Sequence, residues 1–583
     1  MLRIIRFSSF LLHDKHEGRS FGKLLWLFIL FYCHPGIAAD NFQPVTSAML
    51  VEPDSADWLM VSRTYDAQRY SPLDQISKEN VSSLTQAWEL TLPSGTTETI
   101  PIVYKGVMYV IVPGGSVQAL DAASGRLIWE YQRGDANFAS RSKGLAIYQD
   151  MIFYTAPDSF VVAIDAVTGA ERWASQTDSR GHTSAPLIVN GKVISGGACF
   201  TSRDNCYLVA HNALSGEELW RFYTTPEPGE PGDTSWHGAP LENRLASTWG
   251  LPGSYDPFSN RIYWGVANPM PDLRFDRHGY ANGTGRTAPA DLYSNSTIAL
   301  NPDTGELDWY YQHLPGDDSD LDHTHERTLV YTTIDPNPRF VKWINPEIVP
   351  GEERDVSVMI SEGGALFVND RDTGEFLWAT PFPNDVPGML LESVDVRSGR
   401  TQINWDMVDL TGESSRTVCY WNTRSYWPTA YHPQTNSLYT SWIEACRELN
   451  GRDWRVVPRP GVDPEALTGL AKIDLETGEV TKFAMGNTPA YGAMLTTAGN
   501  LLFHGDMSKQ FRAYDVESGE LLWQASLDGY ISMSTISYEV NGRQYIAVMT
   551  GENLKTPELL TLAPALGPAT GHTGITVFAL PDN

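Results

Sequence analysis

The chain has 583 residues, 11% aromatic content with 18 Trp, and 49 Gly beside 37 Pro. That mixture excludes a disordered chain, which would be poor in aromatics, and describes a turn-rich globular protein built from strands. A formal net charge of −28 excludes nucleic acid and anionic membrane as partners held by surface charge.

In chain order, Lys23 precedes an apolar run from Leu24 to Cys33, followed by His-Pro-Gly-Ile-Ala-Ala-Asp. A positive charge, a short apolar core and small residues in this order mark a secretory signal, and the run is too short for comfortable membrane insertion. Cleavage is expected near Ala38 or Ala39, giving a signal over 1–39 and one domain over 40–583. The first 39 residues carry five basic and two acidic side chains, so the net charge of −28 becomes −31 after their loss. Such a charge either steers a basic partner or only keeps the protein soluble. Four cysteines remain, Cys199, Cys206, Cys419 and Cys446. An even count in an exported chain favours disulfides, with the near pairs 199–206 and 419–446 expected among three connectivities. Zinc is the lesser reading, because neither pair has the C-x2-C spacing of a metal knuckle. The sequence contains no Cys-x-x-Cys-His, the signature of covalently attached haem.

From residue 119 onward a unit of the form A-x-D/N-x-x-T/S-G-x-x-x-W recurs. It spans Ala119 to Trp129, Ala163 to Trp173, Ala210 to Trp220, Ala299 to Trp309, Val368 to Trp378, Lys472 to Lys482 (Trp replaced) and Ala513 to Trp523. Each reads as a hairpin: a strand ends at Asp or Asn, a polar pair and Gly make the turn, and the next strand carries Trp. A second hairpin signal precedes the unit, as in Ile102 to Val112 and Leu187 to Ile194, so four strands form each repeat. Gly125, Gly169 and Gly216 are 44 and 47 residues apart, and Gly478 and Gly519 are 41 apart, the period of a propeller blade. The expected fold is therefore an all-β, eight-bladed propeller with tryptophan-docking turns. Its eighth blade comes from Ile531 to Glu539, Gln544 to Thr550 and Ile575 to Leu580, with Leu84 to Leu90 from the N-terminus closing the ring. Wider spacings between turns hold long insertions, and function belongs to those.

One insertion carries His313 to Glu326, with four aspartates, a glutamate and three histidines in fourteen residues. Charge runs of this kind usually face water as solvated loops. The surrounding motifs argue for chemistry instead. They are Trp249-Gly, Tyr255-Asp-Pro, Tyr263 to Pro269, and Tyr311 to Asp320 (Tyr-Gln-His-Leu-Pro-Gly-Asp-Asp-Ser-Asp). In this order and spacing they resemble the pyrroloquinoline quinone (PQQ)-dependent alcohol dehydrogenases over essentially all of the chain after residue 39. The likeness is closest to the soluble sorbose and sorbosone dehydrogenase-like branch.

The resemblance implies a periplasmic quinoprotein that oxidises a primary or secondary alcohol, including sugars, polyols and bulky alcohols, and passes electrons to an external cytochrome c. Pro315 to Asp320 matches the family motif Pro-x-Asp-x-Trp-Asp, with Ser319 in place of Trp, and this points to Asp320 as the base taking the alcohol proton. Asn268 matches the asparagine metal ligand, an oxygen donor suited to calcium, and Trp249 matches the floor under the cofactor ring. Glu98, Thr183, Gly197 and Ala198 match positions around the quinone. Lys143 stands where an arginine reaches a cofactor carboxylate, and Trp427 is a further candidate.

Several positions depart from the pattern. The metal-binding glutamate falls at Thr201, the paired adjacent cysteines are replaced by Asn137 and Phe138, and the lysine or arginine near the quinone falls at Glu362. Asp322, two residues after the proposed base, joins Asn268 and Asp320 in the expected metal set, and marks a lanthanide site in some members. Calcium is the expected ion and a lanthanide the alternative. His323 and His325 are read either as proton shuttles or as ordinary surface histidines, and Trp421 to Trp427 as lining the entrance. The competing reading of the whole chain is a non-catalytic propeller that serves as an envelope scaffold or binding protein.

Overall fold

The turns of the repeat are closed by their own side chains. In Ala163 to Trp173 the Asp165 carboxylate accepts hydrogen bonds from the amides of Val167 (3.0 Å) and Thr168 (2.7 Å), and in Val368 to Trp378 Asp370 does the same for Asp372 (3.1 Å) and Thr373 (2.9 Å). An acceptor at the turn's first position thus holds the chain bent while Gly takes the left-handed conformation beyond it. Both arms continue as antiparallel strands, for example Phe160–Asp165 against Glu171–Gln176.

The computed structural model describes residues 42–582 apart from 135–141, 178–181, 279–289, 410, 532, 553–555 and 567–570. The expected signal segment and the Asn137–Phe138 pair lie outside the described residues. Among the described residues the fold is an all-β propeller, with eight sheets of four or five strands. Within a blade the second strand is wholly buried, as in Met151–Ala156, while the last, Glu171–Gln176, is partly exposed. Thr85–Thr91 pairs antiparallel with Gly574–Ala579, bringing the two ends of the domain into one sheet with Arg543–Gly551. Arg69, fully buried, donates to the carbonyls of Val61 and Met494 (both 2.8 Å) and Thr535 (2.5 Å), tying the N-terminal segment to two blades. No helix among the described residues is long and apolar enough to cross a membrane.

The repeat tryptophans couple successive sheets. Trp129 lies against Gly169, Trp173 against Gly216, Trp220 against Gly305 and Trp309 against Gly374, and Trp88 begins the series at Gly125. Most of these indoles also donate to a carbonyl beside the turn they cover, as Trp129 does to Ala166 (3.0 Å) and Trp220 to Pro302 (2.9 Å). At the copy where the sequence has Lys482, Phe483 covers Gly519 instead. The tryptophan copies carry a pairing irregularity between turn and Trp, as at Ala210/His211, whereas here Lys472, Ala471 and Leu470 pair in unbroken register with Thr481, Lys482 and Phe483, and the register shifts only beyond Phe483. Lys482 itself donates to Asn384 (2.7 Å) and lies over Trp442.

The insertions add a two-stranded pair, Leu245–Ala246 with Pro269–Met270, and a second, Leu391–Val394 with Thr401–Ile403. They also add a three-stranded sheet of Ser415–Cys419, Ala445–Asn450 and Asp453–Pro458. Disulfides join Cys199 to Cys206 and Cys419 to Cys446, the second between directly paired residues of neighbouring strands.

Candidate active site

The acidic stretch is not a solvated loop. From His313 to Glu326 every residue is buried except Asp320, whose side chain keeps 37% exposure. Such burial is tolerable because nearly every carboxylate has a structural duty. Asp317 accepts from the amides of Ser319 (2.8 Å) and Leu321 (2.7 Å) and from Asn295 (3.1 Å), folding the turn on itself. Asp318 accepts from the amides of Arg274 (2.5 Å) and Asp409 (2.8 Å) and pairs with Arg416 (3.2 Å), joining two other insertions to the turn. Glu326 is paired with buried Arg424 and accepts from the Thr429 amide (2.8 Å). Asp320, at φ 58°, is the residue this framework turns outward.

Asp322 joins the pieces that the sequence separates by dozens of residues. Its Oδ1 accepts from the Asn268 amide (3.0 Å) and its Oδ2 from the Trp249 indole Nε1 (3.0 Å). The Asn268 side-chain amide donates to Asp272 Oδ1 (2.9 Å), leaving its oxygen directed away from that carboxylate. Trp249 is half-buried, and its ring meets Tyr426 edge-on at 5.3 Å. Lys143, fully buried and ion-paired with Glu98, lies 5.4 Å from the Trp249 ring and 4.2 Å from that of Tyr426. Thr183 donates to the Trp249 carbonyl (2.6 Å). The Gly197 carbonyl accepts from the hydroxyls of Ser247 (3.0 Å) and Thr248 (3.2 Å), and a Cβ at Gly197 would collide with the Asn205 carbonyl, while Ala198 follows it, buried. The structure thus brings together Glu98, Lys143 and Thr183 with Trp249, and Trp249 with Asn268 and Asp322.

Other positions lie elsewhere. Trp427 is buried, donates to Ser441 (2.9 Å) and packs on Tyr491 at 4.5 Å, so its neighbour Tyr426 is the ring that faces Trp249. The whole of 421–427 is buried and forms wall rather than the anticipated entrance. Thr201 is exposed on the loop closed by Cys199–Cys206. His323 and His325 are buried, not surface residues: His323 is bonded to the Leu321 carbonyl (2.8 Å) and stacked on His313 at 5.5 Å, and burial pulls its pKa down to about 3. Glu362 accepts from the Asp322 amide (3.3 Å) and from Ser425. Asp272 and Arg447 are neighbours of the site that sequence reasoning missed, while Tyr426 belongs to the segment expected at the entrance. Arg447 directly follows disulfide-bonded Cys446, and Asp272 lies four residues after Asn268.

The site concentrates negative charge. The low-dielectric surroundings that enclose all but the outer edge of the Asp320 carboxyl, followed by the charge of Asp272, push it above the usual range, with Asp322 and Asp317 adding and Arg447 opposing. Burial likewise raises Asp322 to about 7 and Glu362 well above its ordinary value. Among the described residues no three His, Cys, Asp or Glu side chains form a ready-made metal cluster. The donor chemistry nonetheless fits a hard cation: the amide oxygen of Asn268, whose backbone amide meets Asp322, and the carboxylates of Asp322 and Asp320 are all oxygen donors. A planar anionic ring is fitted by the half-exposed indole of Trp249 with the Lys143 ammonium beside it.

An all-β propeller that sets a partly exposed indole, a buried lysine beside it and a group of oxygen donors near one outward carboxylate has the parts of a quinoprotein-type oxidoreductase. A family model for PQQ enzymes, described as glucose/ethanol/alcohol dehydrogenase, beta-propeller domain, matches residues 58–171, 174–388 and 468–546. The chain belongs to the PQQ-dependent alcohol dehydrogenase family. It is 32% identical to quinohemoprotein alcohol dehydrogenase ADH-IIG of Pseudomonas putida, over 89% of this chain and 76% of the relative. It is 28% identical to the dehydrogenase subunit of alcohol dehydrogenase (quinone) of Komagataeibacter europaeus, over 93% of this chain and 78% of the relative. The solved structure of ADHIIG from P. putida HK5 superposes with a TM-score of 0.76 at 27% identity, covering 92% of this chain and 83% of that one. These likenesses support an alcohol-oxidising enzyme and give no support to the sorbose and sorbosone dehydrogenase-like placement.

Proposed function

We propose that the protein is an exported, periplasmic dehydrogenase that oxidises a primary or secondary alcohol to the carbonyl with Asp320 as general base and passes electrons to an external cytochrome c. The observation that carries this reading is the exposure pattern: beside the buried Asp322, which links Trp249 and Asn268, Trp249 and Asp320 both keep partial exposure. In the same reading the eight sheets are eight blades of one ring, closed where Thr85–Thr91 meets Gly574–Ala579.

Bound PQQ supplies the two-electron acceptor for the hydrogen on the alcohol carbon, and a bound cation polarises that acceptor. The chain's own residues do the rest. Asp320 takes the hydroxyl proton on a carboxylate oxygen. Trp249 offers a flat floor, and Lys143 a positive charge for a cofactor carboxylate. Glu98, Thr183, Gly197 and Ala198 shape the surroundings of the ring, with Trp427 behind Tyr426 supporting the wall. Asn268, Asp320 and Asp322 hold the cation, calcium in this reading with a lanthanide as the alternative.

Apo protein reconstituted with PQQ and calcium, or with a lanthanide, is expected to show a bound-quinone absorbance and dye-linked alcohol oxidation. Asp320→Asn is expected to keep the absorbance and to lower kcat by roughly 10²- to 10⁴-fold. Full turnover in Asp320→Asn would remove the base from this assignment, and absence of quinone binding would sink the enzyme reading altogether.

A further inference from the structure

Arg447 approaches Asp320 from the inserted three-stranded sheet. It lies in Ala445–Asn450, next to Cys446, whose disulfide fixes that strand to Ser415–Cys419. The guanidinium is buried, packed 4.3 Å from the Trp454 ring centre, and its Nη1 donates to the Ser319 carbonyl (2.8 Å). The same nitrogen stands 3.8 Å from Asp320 Oδ2. Its Nε finds no partner among the described residues.

Three features separate this arrangement from an ordinary structural ion pair. First, the hydrogen bond goes to the peptide that precedes Asp320, while the amides of Ser319 and Leu321 are held by Asp317. The turn is therefore gripped from both sides, with the left-handed Asp320 between the grips. Second, the contact to the carboxylate is long and made by one nitrogen, not the forked pair that Arg makes when it neutralises a carboxylate. Asp320 is oriented but its oxygens stay available. Third, Arg447 is the one cation within 4 Å of the Asp320 carboxylate among the described residues. Glu362, by contrast, is an anion, and it accepts from the Asp322 amide.

We propose that Arg447 is the positioning cation of Asp320, holding the turn and aiming the carboxylate, with the Cys419–Cys446 disulfide fixing the strand from which it acts. This inference rests on the reading of Asp320 as the base. Arg447 touches neither substrate nor cofactor in this role. Losing it lets the carboxylate drift, and a displacement of about 1 Å from productive geometry costs on the order of 10²-fold in rate.

The test uses full-length protein loaded with PQQ. Arg447→Met keeps a side chain on Trp454 but removes the charge and the bond to Ser319, and Arg447→Lys restores a charge and one donor. In Arg447→Met, kcat is expected to fall by about 10²-fold with KM and quinone absorbance little changed, and Arg447→Lys should recover part of the loss. Cation affinity, read by calorimetry or by sensitised terbium emission, should tighten by about tenfold in Arg447→Met, because a repelling charge has left the carboxylates. Damage to the fold moves that affinity the other way, so loss of turnover and of cation affinity together would overturn the proposal. Unchanged kcat in Arg447→Met, with Asp320→Asn inactive, would overturn it while leaving the base in place. A fully active Asp320→Asn would overturn both. The double variant should be no slower than Asp320→Asn alone, since a group that acts through Asp320 has nothing left to position.

Discussion

At Asp322 a single carboxylate accepts from the Trp249 indole and from the Asn268 amide, and burial with neighbouring carboxylates raises its pKa to about 7. A cation binds the ionised form, so protons compete with it. The sign follows directly: above about pH 7 the carboxylate is free to bind, and below it each unit of acid leaves less of the binding form. Cation affinity of the apo protein should therefore be highest near pH 8 and weaken progressively toward pH 6, which isothermal titration at several pH values reads out. A flat profile would mean that Asp322 is ionised throughout the range or is not a ligand. Asp320, Asn268 and Trp249 stand inside short motifs, and so the sequence alone puts them forward as candidates. Arg447 and Asp272 are not put forward, since nothing local distinguishes an arginine after a disulfide-bonded cysteine until the fold carries it to Ser319. The acidic run misled in the opposite way: its composition reads as a wet surface, and only the duties of Asp317, Asp318 and Glu326 explain its burial.

The blades show how far a repeat can be read. Strand order, turn positions and the Trp–Gly couplings follow from the A-x-D/N-x-x-T/S-G-x-x-x-W unit, because turn chemistry and a two-residue strand period are local properties. The exchange at Lys482 was legible as a missing Trp, but not its remedy, which is the unbroken pairing of Thr481 to Phe483 that presents Phe483 to Gly519. The inserted three-stranded sheet was also hidden, since it pairs residues 415–419 with 445–450 across two intervening blade strands. Two glycines isolate the energetic weight of a docking contact. Gly305 (φ 76°) has Trp220 ring atoms 2.6 Å from where a Cβ would stand, whereas Gly229 (φ 91°) has nothing within 4 Å. Gly229→Ala should cost only the left-handed backbone penalty, about 1–2 kcal/mol. Gly305→Ala adds overpacking against the indole, about 1–3 kcal/mol more, and its thermal unfolding midpoint should lie clearly below that of Gly229→Ala. Equal midpoints would show that the Trp220 contact yields without strain.

Over the whole molecule, 70 acidic residues face 42 basic ones, and the basic ones are largely committed. Arg172 pairs with Asp150 and Asp165, Arg133 with Asp158 and Glu171, and Arg371 with Asp355 and Asp256, so the excess negative charge is distributed over a surface whose cations are already screened by neighbours. Such a field attracts a basic partner from a distance set by the Debye length, about 30 Å at 0.01 M salt and about 10 Å at 0.1 M. If the reduced enzyme delivers its electrons to a small basic cytochrome c, the bimolecular rate constant should fall by about tenfold or more across that range of salt. Transfer to a neutral dye, which feels no such field, should hold steady over the same range and so corrects for any effect of salt on the site itself. Equal salt dependence for the two acceptors would leave the charge as a determinant of solubility alone. A steep dependence for the cytochrome only would connect the composition of the chain to the direction in which its electrons leave.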